Sequence, residues 1–157
     1  MLMLSFVASE KGICEVNKVL CLDTSVLIPY LVPDEHEPLA DSLVIEAVVG
    51  NARLVAPAFA WAEVGSVLRK KVRMGLLTTE EAGGCYQDFC NLPIDYLNEE
   101  LLRVRAWEIA EQYQLPTLYD AAFLAGAESE QAQFWTADKV LLSKLSPLPA
   151  YVNQLGV

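Results

Sequence analysis

The sequence predicts an α/β fold in which a parallel sheet of four to five strands lies between two layers of helices. Three observations carry this. Short apolar runs alternate along the chain with longer stretches of helical period, the order expected when parallel strands are joined by helical crossovers. The run VLCLD at 19–23 is apolar without alternation until its final acid, so the strand it forms is buried on both faces. Carboxylates also stand directly after two of the runs, where ligands bind in such sheets.

The first strand, Val19 to Asp23, is followed by TSVLIPYLV at 24–32, a short helix interrupted at Pro29, whose ring removes a backbone donor. After the acidic turn PDEHE, which holds the only histidine (His36), a helix is expected from Pro38 to Val49. Arg53 to Ala56 is the second strand, and Pro57 opens the helix that carries Glu63. Thr78 and Glu81 have the spacing of a capping box. Behind them Ala82, Cys85, Tyr86 and Phe89 fall on one helical face. Gly83 and Gly84 inside that helix cost about 1 kcal/mol each relative to alanine, which points to close packing by a neighbour.

Pro93 to Leu97 is the third strand, and a helix over 99–114 places Leu102, Ala106, Ile109 and Tyr113 along one face. A helix over 119–129, the strand QFWT at 133–136, a helix over 137–145 and a last apolar piece, AYV at 150–152, complete the alternation. The three tryptophans, at 61, 107 and 135, are read as core residues.

With 157 residues the chain is one domain's worth and buries about two thirds of its unfolded surface. The formal charge of −10 argues against nucleic-acid binding by bulk electrostatics, which uses a basic surface. The cysteines at 14, 21, 85 and 90 form no CxxC pair, so reduced thiols in a cytoplasmic protein are expected. The apolar start MLMLSFVAS is too short to span a bilayer and lacks the basic region of a signal peptide. It is read as an extra strand, a poorly ordered tail or the product of an upstream start codon, making residues 1–17 an extension ahead of a domain over 18–157. No later run reaches membrane length.

Four acids stand out. Asp23 ends the first strand; Asp138 follows the fourth, in FWTADKVLL. Glu63 and Asp120 are lone acids in the alanine-rich apolar helices AFAWAEVG and LYDAAFLAGA. Taken singly, each aspartate reads as a helix cap and Glu63 as a solvent-facing residue. Taken together, the small residues Ala60, Ala62 and Gly65, with Ala121 and Ala122, would let two helices approach and bring Glu63 to Asp120. Carboxylates sharing one pocket repel unless a hard divalent cation holds them. Oxygen donors without histidine or cysteine suit Mg²⁺ or Mn²⁺.

The four segments resemble the acidic motifs of PIN-domain ribonucleases: D-T-S after the first strand, a Glu in the helix after the second, D-A-A late, and T-A-D after the fourth. The match runs from about residue 18 to 152, and the short single-domain form is most similar to the VapC-type toxins of bacterial toxin–antitoxin operons. The first aspartate of such toxins usually lies within a few residues of the start, so the first eighteen residues or so fall outside the resemblance.

The resemblance implies a three-layer PIN-like α/β/α fold and a Mg²⁺- or Mn²⁺-dependent endoribonuclease. Asp23, Glu63, Asp120 and Asp138 would be its catalytic and metal-binding carboxylates, around one or two ions. Thr24, Ser25 and Thr136 take supporting roles, the first two equally readable as helix caps. It further implies a homodimer and a cognate antitoxin whose tail lies across the active-site groove, with the helices of residues 58–91 as contact surfaces.

The one basic cluster, Arg69, Lys70, Lys71 and Arg73, follows Glu63 on its helix. Lys70 falls about 20° from Glu63 around the helix and roughly 10.5 Å along it, suited to a neighbouring RNA phosphate; complementing the helix dipole is its bland role. Three readings stand beside the toxin: a PIN nuclease of RNA processing, an inactive PIN-like interaction module, and a phosphatase of the haloacid dehalogenase type. The last wants a second aspartate two residues after the first, where this chain has Ser25.

Overall fold

Strand β1 (Lys18–Leu22) occupies the middle of a sheet whose order is β3-β2-β1-β4-β5. The others are β2 (Ala52–Pro57), β3 (Ile94–Leu97), β4 (Gln133–Thr136) and β5 (Val152–Gln154). All four pairings are parallel, with Leu20 opposite Leu54 on one side of β1 and Cys21 opposite Phe134 on the other. The computed structural model describes residues 17–98 and 100–156. The expected extension lies outside these, apart from its last residue.

Side chains alternate across a strand, so β1 feeds two cores. Leu20 and Leu22 pack with helices α1 (Thr24–Leu31), α2 (Pro38–Val48) and α4 (Thr79–Cys90). Cys21 faces the other layer, with α5 (Glu100–Tyr113), α6 (Leu118–Ser129) and α7 (Lys139–Lys144). Helix α3 (Ala60–Arg73) joins the first layer through Val64 and Leu68, while its first residue, Ala60, is buried in the second. The expected three-layer α/β/α arrangement is therefore present, with five strands.

The sheet order places the topological switch between β1 and β4: from β1 the chain proceeds towards one edge through β2 and β3, then returns to add β4 and β5 on the opposite side. Ligand crevices of open α/β sheets form at that point, beyond the carboxyl ends of the strands.

Local signals account for most boundaries. The capping box is complete: Glu81 N–H donates to Thr78 Oγ1 at 3.1 Å, and Thr78 N–H donates to Glu81 Oε2 at 2.7 Å. Pro29 lies inside α1 without ending it. The turn after α1 contains a short 3-10 helix, Pro33–Glu35.

Four expectations are corrected. Pro57 ends β2 instead of opening α3, whose N-cap is Phe59. The last strand falls at 152–154, two residues later than read. Gly83 and Gly84 are not packing contacts, since a Cβ on either would meet nothing within 4 Å. Trp61 and Trp107 are 51% and 58% exposed, and only Trp135 packs partly against the core. Each exposed tryptophan follows a buried alanine, Ala60 or Ala106, and one helical residue turns the side chain about 100° off the buried face.

Since Gly84 is exposed within a helix and its Cβ position is open, Gly84→Ala is expected to raise stability by about 0.5–1 kcal/mol, measured by urea unfolding.

Candidate functional site

Asp23 leaves the carboxyl end of β1 and caps α1. Its Oδ1 accepts the Ser25 backbone N–H at 2.9 Å and the Ser25 hydroxyl, and its Oδ2 accepts the Thr136 hydroxyl at 2.6 Å. The two hydroxyls are engaged in turn: Ser25 Oγ accepts the Ala137 N–H at 2.8 Å, and Thr136 Oγ1 accepts the Asp138 N–H at 3.0 Å. Residues of D-T-S and T-A-D thus form one network across the switch point.

Asp138 caps α7, its Oδ1 accepting the N–H groups of Val140 and Leu141 at 2.9 and 3.0 Å. Glu63, in the first turn of α3, accepts the Thr24 hydroxyl at 2.5 Å. Asp120 lies in the first turn of α6, whose N-cap is Thr117, so this acid is not the cap. Asp23 and Asp138 thus cap helices, and Asp120 does not.

All four acids line one pocket of about 360 Å³, together with Thr24, Ser25, Ile28, Pro29, Val67 and Glu35. Glu35 was hidden from sequence reading in the polar turn PDEHE. Lys144 of α7 was missed as well; its charge opposes the rise in the Asp120 pKa. Of the basic cluster, Arg69 lines a separate groove between α3 and α4, Lys70 is exposed, and Lys71 pairs with Glu35. Of the small residues expected to bring Glu63 to Asp120, Ala60 of α3 and Ala121 of α6 are buried in the same core, but Gly65 takes no part in it. Gly65 instead faces α4, where a Cβ would lie 3.2 Å from the Tyr86 ring. The α6 contact comes from Phe59, whose ring meets Tyr119 and Phe123 edge-on.

The electrostatics follow from burial. Asp23 is 5% exposed, and loss of water drives its pKa from 3.8 up to about 6. The Ser25 and Thr136 hydrogen bonds oppose that rise, and the Asp120 charge adds to it. The Asp120 carboxyl is also raised, first by burial and then by Asp138 and Glu63. Burial likewise pushes up the Cys21 thiol beneath the site, so it behaves as a small apolar residue.

As the side chains stand, no group of three or more acid, histidine or cysteine side chains among the described residues is close enough to hold an ion. Asp23, Glu63 and Asp138 are each turned onto donors of the protein. The donor set still fits a hard divalent cation: the pocket offers carboxylates and hydroxyls, and no imidazole or thiol lines it. Asp23, Glu63, Asp120 and Asp138 are the residues that would hold it.

The family model for the PIN domain matches residues 20–145. No curated protein matches the chain. Among solved structures, the crystal structure of PAE2754 from Pyrobaculum aerophilum superposes with a TM-score of 0.63 at 21% identity, covering 92% of this chain and 93% of that one. A toxin–antitoxin complex from Klebsiella pneumoniae superposes with a TM-score of 0.57 at 15% identity, over 87% of this chain and 96% of that one. At these identities both likenesses concern the fold.

Two outcomes are expected from these geometries. Between pH 3.8 and about 6 the folded state holds a proton on Asp23 that the unfolded chain has released. This contribution to stability is therefore present below the unfolded pKa and lost as pH rises through about 6. In EDTA, the melting temperature of Asp23→Asn relative to the parent should climb between pH 4 and 7, approaching about 3 kcal/mol of differential stabilisation; a difference independent of pH would contradict this. Thr136→Val removes a buried donor to a carboxylate and should cost about 1–3 kcal/mol in urea unfolding.

Proposed function

The chain belongs to the PIN-domain family, and on that footing we propose that it is a divalent-cation-dependent endoribonuclease, the toxin of a type II toxin–antitoxin pair. One observation carries the reading. Acids from four separate segments line a single pocket at the switch point, with hydroxyls of Thr24, Ser25 and Thr136 orienting two of them.

A bound Mg²⁺ or Mn²⁺, singly or as a pair, would supply an activated water and neutralise charge on the phosphodiester oxygens. The protein's part is to hold its carboxylates in place beforehand. Asp23 is fixed from both oxygens, and Glu63 is anchored by Thr24. Asp120, in the first turn of α6, neither caps a helix nor accepts a described side-chain hydrogen bond. Lys70, Arg69 and Lys71 lie further along α3, and of these Lys71 pairs with Glu35 of the pocket lining and is the one placed to meet an RNA phosphate there.

The toxin assignment draws on the structural likeness to a chain in a toxin–antitoxin complex. An antitoxin segment would find a groove of about 420 Å³ between α3 and α4, lined by Trp61, Gly65, Arg69, Gly83 and Tyr86. This groove falls within the helices expected to receive it. A homodimer would cover the outer face of α5, where Leu101 is 78% exposed beside Val104 and Trp107. No helix among the described residues is long and apolar enough to cross a membrane, which accords with action in the cytoplasm.

The test is cleavage of end-labelled RNA by purified protein in Mn²⁺, Mg²⁺ or EDTA, with Asp120→Asn prepared in parallel. Cleavage should require the cation and fall by about 100-fold or more in the variant. Equal cleavage by both preparations would assign the activity to a contaminant. Absence of cleavage on any RNA pool would favour the inactive interaction module. Cleavage by a chain whose neighbouring genes encode no antitoxin would favour RNA processing.

A further inference from the structure

The turn at Pro33–Glu35 brings a fifth carboxylate to the mouth of the acidic pocket. Four acids already there repel it. What holds it is Lys71, whose ammonium donates to Glu35 Oε1. The lysine side chain is only 14% exposed. Glu63, Val67 and Lys71 follow one another at intervals of four along α3, so the lysine shares a ridge with the pocket's own glutamate. Arg69 lines the α3–α4 groove, and Lys70 is exposed, with no bond to the pocket's acids among the described residues.

An ammonium group is a compact charge with three donors and no fixed fork, so one anionic oxygen can replace another on it. A phosphodiester oxygen is such a replacement for a carboxylate oxygen. Resting on the nuclease reading above, we propose that Lys71 forms a phosphate-binding subsite at the pocket mouth and that Glu35 occupies this subsite until an RNA phosphate displaces it. The subsite admits the phosphate adjoining the one to be cut, and the intramolecular carboxylate keeps the lysine in position while the groove is empty. An acidic protein thereby keeps one cation ready beside a pocket that otherwise repels RNA.

The test is a double-mutant cycle on RNA binding, read by anisotropy of a fluorescent single-stranded RNA with Mg²⁺ present. Every protein carries Asp120→Asn so that the RNA stays intact. Glu35→Gln should tighten binding by about threefold, in line with an exposed ion pair. Lys71→Gln should weaken it by about fivefold and reduce the slope of log affinity against log salt by about 0.7, the share of one single-strand phosphate. Lys71→Arg should retain binding. In the Lys71→Gln background, Glu35→Gln should change nothing.

An equal gain from Glu35→Gln in both backgrounds would reduce the effect to general charge and overturn the subsite. So would unaltered affinity in Lys71→Gln. Absence of RNA binding by the Asp120→Asn parent, or RNA binding with a failed cycle, overturns the subsite alone, because Asp120 is one of the residues that would hold the cation; the nuclease reading stands or falls by the cleavage assay. Melting temperatures of the single variants should stay within a few degrees of the parent, as expected when an exposed pair is broken.

Discussion

A nearly water-free carboxylate at the switch point of the sheet is the constraint around which the site is organised. Asp23 accepts two hydroxyl protons and one amide proton with its side chain, while its backbone N–H donates to Trp135 of β4 and its carbonyl accepts from Val26 and Leu27 of α1. Through this one residue the end of β1, the start of α1 and the end of β4 become a single unit. The hydrogen bonds favour the charged form, and burial disfavours it more strongly. Removing one hydroxyl partner from such a group leaves a buried carboxylate less well satisfied, which costs about 1–3 kcal/mol. The position is therefore suited to a role that supplies positive charge from outside the chain.

Glu63 prompts a parallel question from its apolar surroundings, and its compensation has two parts. The Thr24 hydroxyl satisfies one oxygen, and partial exposure to the pocket leaves the side chain in contact with water. Asp120 caps no helix and has no described hydroxyl partner, and the charges of Asp138 and Glu63 act on it against that of Lys144. The three environments rank the carboxyls by their need for a cation: Asp23 through burial, Asp120 through burial and like charges, Glu63 least. A chain with net charge −10 can approach a polyanion if such sites are filled with divalent ions, because the local charge at the groove then departs from the charge of the whole.

Much of this was legible in the sequence, for identifiable reasons. Buried parallel strands leave continuous apolar runs, so β1, β2 and β4 could be read. Caps leave polar residues at fixed offsets, so Thr78–Glu81 could be read too. The four acids were visible because an isolated charge in an apolar segment requires a partner. What escaped depended on contacts between distant segments. Thr136 reaches Asp23 across 113 positions, and nothing local indicates that bond. Glu35 was indistinguishable from the solvated acids around it, since only the fold turns 33–35 towards the pocket. The strand order, which creates the crevice, is likewise absent from any local pattern. The exposure of Trp107 was legible in the phase of its helix, since the apolar face through Leu102, Ala106 and Ile109 excludes position 107.

The central claim is that these carboxylates together bind a divalent cation, and calorimetric titration of the purified protein with Mn²⁺ tests it without reference to any substrate. Saturable binding of one or two Mn²⁺ per chain, lost in Asp23→Asn while that variant still unfolds cooperatively, is the predicted result. Absence of binding in the parent protein, or binding that survives Asp23→Asn unchanged, would contradict it.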